Sequence, residues 1–96
     1  MNVLVAYDVA TGDAKGQRRL HKVALACQAF GQRVQNSVFE CAVSETQYEQ
    51  LLNRLMKIID PDQDSLRIYR LREPKDEHLQ VIGKRPQYDI TDTLIL

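Results

Sequence analysis

The residues best able to do chemistry stand near the start of the chain. Asp8 closes an apolar run that begins at Val3, and past a loop holding Gly12 and Gly16 the bases Arg18, Arg19 and Lys22 crowd together. A carboxylate at a strand end can cap the following turn by accepting backbone N–H groups. It can also ligate magnesium, an ion that keeps several waters and takes its other oxygens from one or two carboxylates and from substrate phosphate. One Asp per chain is a thin site for that ion. Two copies meeting at a two-fold axis would supply two, which ties metal chemistry here to dimerisation. Arg18 and Lys22, four apart, share one helix face. Such charges ordinarily form a solvated surface, yet cations near a helix N-terminus are unfavourable unless an anion compensates them. A bound phosphate would do so, and the planar guanidinium suits it.

Other polar positions carry weaker signals. Ser37, Phe39 and Glu40 share a strand-like stretch in which Val38 and Phe39 point to opposite faces, so one belongs to the core and the other can reach an interface or ligand. A core Phe39 is the plainer reading. His21 and His78 have no spacing that suggests a base or a metal site, and Cys27 and Cys41 lack the paired spacing of a zinc or redox motif, so buried reduced thiols are expected. No P-loop, dinucleotide fingerprint or nucleophile elbow is present.

The elements that must position these residues follow from periodicity. Residues 3–8 are apolar on both faces until Asp8 and read as a central strand. Leu20, Val23, Ala24, Cys27 and Phe30 recur at helical spacing, with Gly31 as a stop. Residues 33–43 read as a long stretch of strand whose turn-linked parts the pattern does not separate. Ser44 and Gln47 have the form of a capping box before a helix whose stripe is Tyr48, Leu51, Leu52, Leu55, Met56 and Ile59, and Asp60-Pro61 ends it. Leu66, Ile68, Tyr69 and Leu71 suggest another strand, followed by a short one around residues 79–82 and a terminal one at 93–96. The order predicts an α+β, two-layer, ferredoxin-like βαββαβ fold with an extra C-terminal strand. The whole chain, 1–96, is expected to be one such domain. Its segment from about 79 to 96 is expected to pair with a partner protomer, burying apolar surface and satisfying backbone donors together.

At 96 residues a large share of surface stays exposed, which favours a homo-oligomer. Hydrophobic residues at 44% and charged residues at 27% exclude a disordered or fibrous chain. No segment reaches membrane-spanning length and no signal segment is evident, so a cytoplasmic protein without a membrane partner is expected. Net charge is zero, but its distribution is uneven: residues 14–39 hold no acid while carrying Lys15, Arg18, Arg19, Lys22 and Arg33, and a second basic group runs Arg67, Arg70, Arg72, Lys75. A neutral average can hide one positive face.

Taken together, Tyr7-Asp8-Val9, the run from Gly16 through Arg18-Arg19 to Val23, and the run from Gly31 through Ser37-Val38-Phe39-Glu40 to Cys41 resemble the small CRISPR-associated adaptation proteins, the Cas Two family of CRISPR-associated endoribonucleases. Arg67-Ile68-Tyr69-Arg70-Leu71 resembles that family's later strand. The resemblance implies a ferredoxin-like homodimer with facing sheets and a magnesium-dependent endonuclease activity on RNA or DNA, with Asp8 of each chain near the two-fold axis as catalytic residue and Mg2+ ligand. It implies substrate-binding or site-shaping roles for Tyr7, Arg18, Arg19, Arg33, Ser37 and Phe39, and Lys22 joins the nucleic-acid-binding group with Arg18, Arg19 and Arg33.

The same resemblance implies a second job, in which the dimer bridges two dimers of a companion CRISPR integrase and holds duplex DNA during spacer acquisition. The scaffold role needs only phosphate neutralisation and a protein-binding surface, and is the expected biological role. Nuclease action on single-stranded RNA or on DNA lacks an evident general base beside Asp8, since Asp13 lies in a loop and Glu40 on another strand. A toxin-like or ligand-binding module sharing only the fold is the third reading.

Overall fold

The computed structural model describes residues 1–83. Strand β1 (Asn2–Asp8) alternates as its sequence dictates: Val3, Val5 and Tyr7 turn into the core while Leu4, Ala6 and Asp8 turn to the opposite face. Helix α1 (Ala14–Gln28) starts on Asp13, whose carboxylate accepts the Gly16 N–H at 2.8 Å. Gly16 sits so close to the preceding loop that a Cβ there would collide with the Ala10 carbonyl. The helix therefore begins tight against the segment that follows Asp8. It buries Val23, Ala26 and Cys27, with Leu20 and Phe30 at the margin and Leu25 still 44% exposed.

The long strand expected over residues 33–43 is a hairpin, β2 (Gly31–Gln35) and β3 (Val38–Ala42), turning on Asn36 and Ser37. Its register slips between Arg33 and Gln35, a bulge that blurs the period-2 pattern and explains why periodicity did not divide it. Helix α2 (Glu45–Ile58) opens on the expected capping box: Gln47 N–H donates to Ser44 Oγ at 3.2 Å and Ser44 N–H to Gln47 Oε1 at 2.9 Å. Leu51 and Leu55 are fully buried, whereas Met56, expected on the inner stripe, is 63% exposed.

Strand β4 (Ser65–Leu71) pairs with β1, giving an antiparallel sheet ordered β2-β3-β1-β4. One core joins Val3, Val5 and Phe39 of the sheet to Val23 and Cys27 of α1 and to Leu51 and Leu55 of α2. The fold is the predicted two-layer ferredoxin-like α+β arrangement. The strand expected around residues 79–82 does not form: a one-turn helix, α3 (Lys75–His78), precedes a segment that pairs with no strand among the described residues. Pro74 at its N-cap, with Asp76 and Glu77 in the first turn, favours that turn locally. The terminal strand expected at 93–96 lies outside the described residues.

Candidate functional site

Asp8 ends β1 directly opposite Ser65 of β4, and its exposed carboxylate lies on the sheet face away from the helices. Arg67, two positions along β4, shares that face and is diagonal to Asp8, while its guanidinium donates to the Tyr69 hydroxyl at 3.4 Å. Among the described residues, the Asp8 carboxylate has no hydrogen-bond or ion-pair partner. The turn-capping work open to it falls to two other carboxylates. Asp13 caps α1.

Asp64, immediately before β4, does more. Its side chain is fully buried and accepts the Ala10 N–H at 3.1 Å, the Asp60 N–H at 2.8 Å, Arg19 Nε at 2.9 Å and Arg19 Nη2 at 3.3 Å. The Arg19 hydrogen bond, with the Asp60 and Ala10 amides, holds the carboxyl below the usual carboxylate range against the opposing effect of burial. This network joins the loop after Asp8, the second turn of α1 and the turn between α2 and β4. The sequence showed residues 62–64 only as a polar turn. The available signal was the acid-free run 14–39, in which a part-buried base needs a carboxylate from elsewhere.

The basic residues expected to act together are divided. Arg18 and Lys22 are exposed on α1, with Lys15 one turn earlier, and α1 has no acid in its first turn. Among the described residues none of these three makes an ion pair. Arg19, expected beside them as a nucleic-acid contact, instead turns toward Asp64, and its side chain is 16% exposed. Arg33 turns to the helix-facing side, with its guanidinium 5.2 Å from the Phe39 ring centroid. Its Nε is buried without a hydrogen-bond partner among the described residues.

Phe39 is fully buried, so the core takes Phe39 and the open face takes Val38. Tyr7 stacks on Phe39 with centroids 6.2 Å apart, and its hydroxyl reaches the Asn36 carbonyl at 3.4 Å. Burial pushes the Tyr7 phenol up. Ser37 acts through its backbone, its carbonyl accepting the Tyr7 N–H at 3.0 Å. Tyr7, Arg33, Ser37 and Phe39 thus brace the hairpin against the end of β1, whereas Asp8 faces the other way. Cys27 and Cys41 are buried free thiols, pushed up to about 12 and about 11 chiefly by burial.

Among the described residues, no three His, Cys, Asp or Glu side chains are grouped to hold a metal ion. A single exposed Asp8 therefore fits magnesium only as half of a two-chain site completed by water and phosphate oxygens. No helix among the described residues is long and apolar enough to cross a membrane.

Comparison with known proteins bears on this arrangement. Residues 1–78, from β1 through α3, match the family model for CRISPR associated protein Cas2. The chain belongs to the Cas2 family. It is 52% identical over 96 residues to a Moorella thermoacetica protein named CRISPR-associated endoribonuclease Cas2 1, covering all of both chains. It is also 52% identical over 95 residues to the CRISPR-associated endonuclease Cas2 of Halalkalibacterium halodurans, covering 99% of each. The crystal structure of Streptococcus pyogenes Cas2 at pH 6.5 superposes with a TM-score of 0.76 at 44% identity, covering 86% of this chain and all of that one. Membership covers the hairpin that braces β1 and the turn that carries Asp64.

Proposed function

We propose that this Cas2-family chain works in the cytoplasm as a homodimer in CRISPR adaptation, holding duplex DNA and bridging the companion integrase during spacer acquisition. The observation that carries this reading is the exposed cation set Lys15, Arg18 and Lys22 on α1, uncompensated by any acid in the first turn. Such a set gains affinity by neutralising backbone phosphates and releasing counterions, with little preference for sequence. A homodimer doubles it. The open sheet face, carrying Leu4, Val38 and a 46% exposed Tyr69, supplies apolar surface for a second copy.

Co-elution tests the reading. The full chain, the integrase encoded beside it and duplex DNA should leave a sizing column as one complex, with the dimer at its centre by light scattering. Separate elution at micromolar concentrations and low salt would reject the bridging role.

A second reading, magnesium-dependent phosphodiester cleavage, is favoured by the Asp8 carboxylate, which has no partner among the described residues, and by the relatives' names, endoribonuclease and endonuclease. Asp8 from each of two copies would hold the ion, which when bound offsets charge developing at phosphorus. The Asp8 carboxylates would hold it at the strand ends while Arg18 and Lys22 anchor the flanking backbone. Labelled single-stranded RNA and duplex DNA should be cut by the native dimer with magnesium and left intact with chelator or by Asp8→Ala. Equal cutting by Asp8→Ala would remove Asp8 from the chemistry.

A further inference from the structure

Two adjacent arginines, Arg18 and Arg19, look interchangeable in the sequence but meet different surroundings. Arg18 projects from α1 without a partner among the described residues, while Arg19 gives two hydrogen bonds to one buried carboxylate. A charge already neutralised by an ion pair displaces few counterions when phosphate approaches, because the pair must first be broken. The same carboxylate holds the Ala10 amide, two residues beyond Asp8, and the Asp60 amide, at the end of α2.

Its position also fits a bracing role. Ser65, the next residue, is the direct cross-strand partner of Asp8, so Asp64 holds the residue two past Asp8 while its own chain neighbour pairs with Asp8. The close packing of Gly16 against the Ala10 carbonyl makes that loop a seam with little slack.

We infer that Asp64 is a positioning residue for the nucleic-acid site, and that Arg19 is its internal partner rather than a phosphate contact. The pair fixes the loop after Asp8 against the second turn of α1. This rests on the reading that α1 and Asp8 face nucleic acid.

The test uses the full-length dimer and three readouts. Duplex binding by fluorescence anisotropy across about 50 to 250 mM salt gives the slope of log K against log salt. Arg18→Gln should lower that slope by about 0.9 for each phosphate it ceases to neutralise, whereas Arg19→Gln should leave it unchanged. Hydrogen exchange should show the Ala10 and Asp60 amides exchanging at least tenfold faster in Asp64→Asn, with the Val5 amide little altered. Magnesium-dependent turnover should fall about tenfold or more in Asp64→Asn at nearly constant KM, since misplacement of groups by about 1 Å can cost that much.

Arg19→Lys, which keeps a charged donor, should recover part of the Ala10 protection lost in Arg19→Gln. A slope lowered by about 0.9 in Arg19→Gln would make Arg19 a phosphate contact and overturn the inference. Unchanged Ala10 exchange in Asp64→Asn would overturn it as well. Should Asp64→Asn fail to fold, the Arg19→Gln slope and the Arg19→Lys recovery decide. If the native dimer neither binds nor cuts, the functional reading fails, and Ala10 exchange alone decides whether Asp64 positions the loop.

Discussion

Asp8 and Asp64 stand almost side by side where β1 ends and β4 begins, since Asp8 pairs with Ser65. One has no partner among the described residues, and the other accepts four hydrogen bonds with its side chain fully buried. The difference comes from which face each side chain enters. Asp8, following Tyr7 in the period-2 alternation of β1, must point away from the helices, whereas Asp64 lies in the turn before β4 and can swing under α1 toward Arg19. The two carboxylates therefore differ in their bonding: one holds the chain together, and the other stays exposed without a partner among the described residues.

That contrast can be broken by exchanging the residues' fates. Asp64→Ala should lower Tm by about 10 °C or more, because it strands the Arg19 charge and two amides, while Asp8→Ala should move Tm by less than about 3 °C in calorimetry. Comparable losses in the two variants would mean that Asp8 is structural too. Gly16→Ala presses a methyl group against the Ala10 carbonyl and strains the seam that Asp64 holds; a loss of about 2 kcal/mol in denaturant titration is expected, with Asp8 still exposed.

Acid separates the two carboxylates more gently. The folded-state pKa of Asp64 is lowered from 3.8, so its contribution to stability is complete above that value and is lost as pH falls through the lower folded value. Native protein should therefore lose stability below about pH 4 more steeply than Asp64→Asn, measured by urea midpoints at pH 5, 4 and 3. Parallel curves would show that Asp64 gains no charge stabilisation on folding. Smallest is Ser44→Ala, which removes a cap remote in sequence from both carboxylates: about 1 kcal/mol should be lost, with duplex binding unchanged.

How much of this was legible beforehand depends on the range of the interaction. The Ser44–Gln47 box, the α1 core residues Val23 and Cys27, and the exposed Asp8 follow from local periodicity and spacing. The division of residues 31–42 into two strands was hidden by a bulge, and the helical spacing of the α2 stripe does not tell exposed Met56 from buried Leu55. The pairing of Arg19 was hidden for a long-range reason: its partner Asp64 lies 45 positions away, in a turn with no pattern of its own. Arg33 was expected on a basic face because its charge was counted without its strand alternation, which puts it opposite Phe39 on the helix side.

Arg18 and Lys22, unlike Arg19, are the residues proposed to meet phosphate. The measurement that tests this proposal most directly is the salt dependence of duplex-DNA binding by the native dimer and by Arg18→Gln/Lys22→Gln, with dimer state and Tm checked on the same samples. The slope should fall by about 3.6 in the double variant, about 0.9 for each of the four cations the dimer loses, while Tm stays within about 3 °C of native. An unchanged slope in a folded, dimeric double variant would contradict the account and move the nucleic-acid face away from α1.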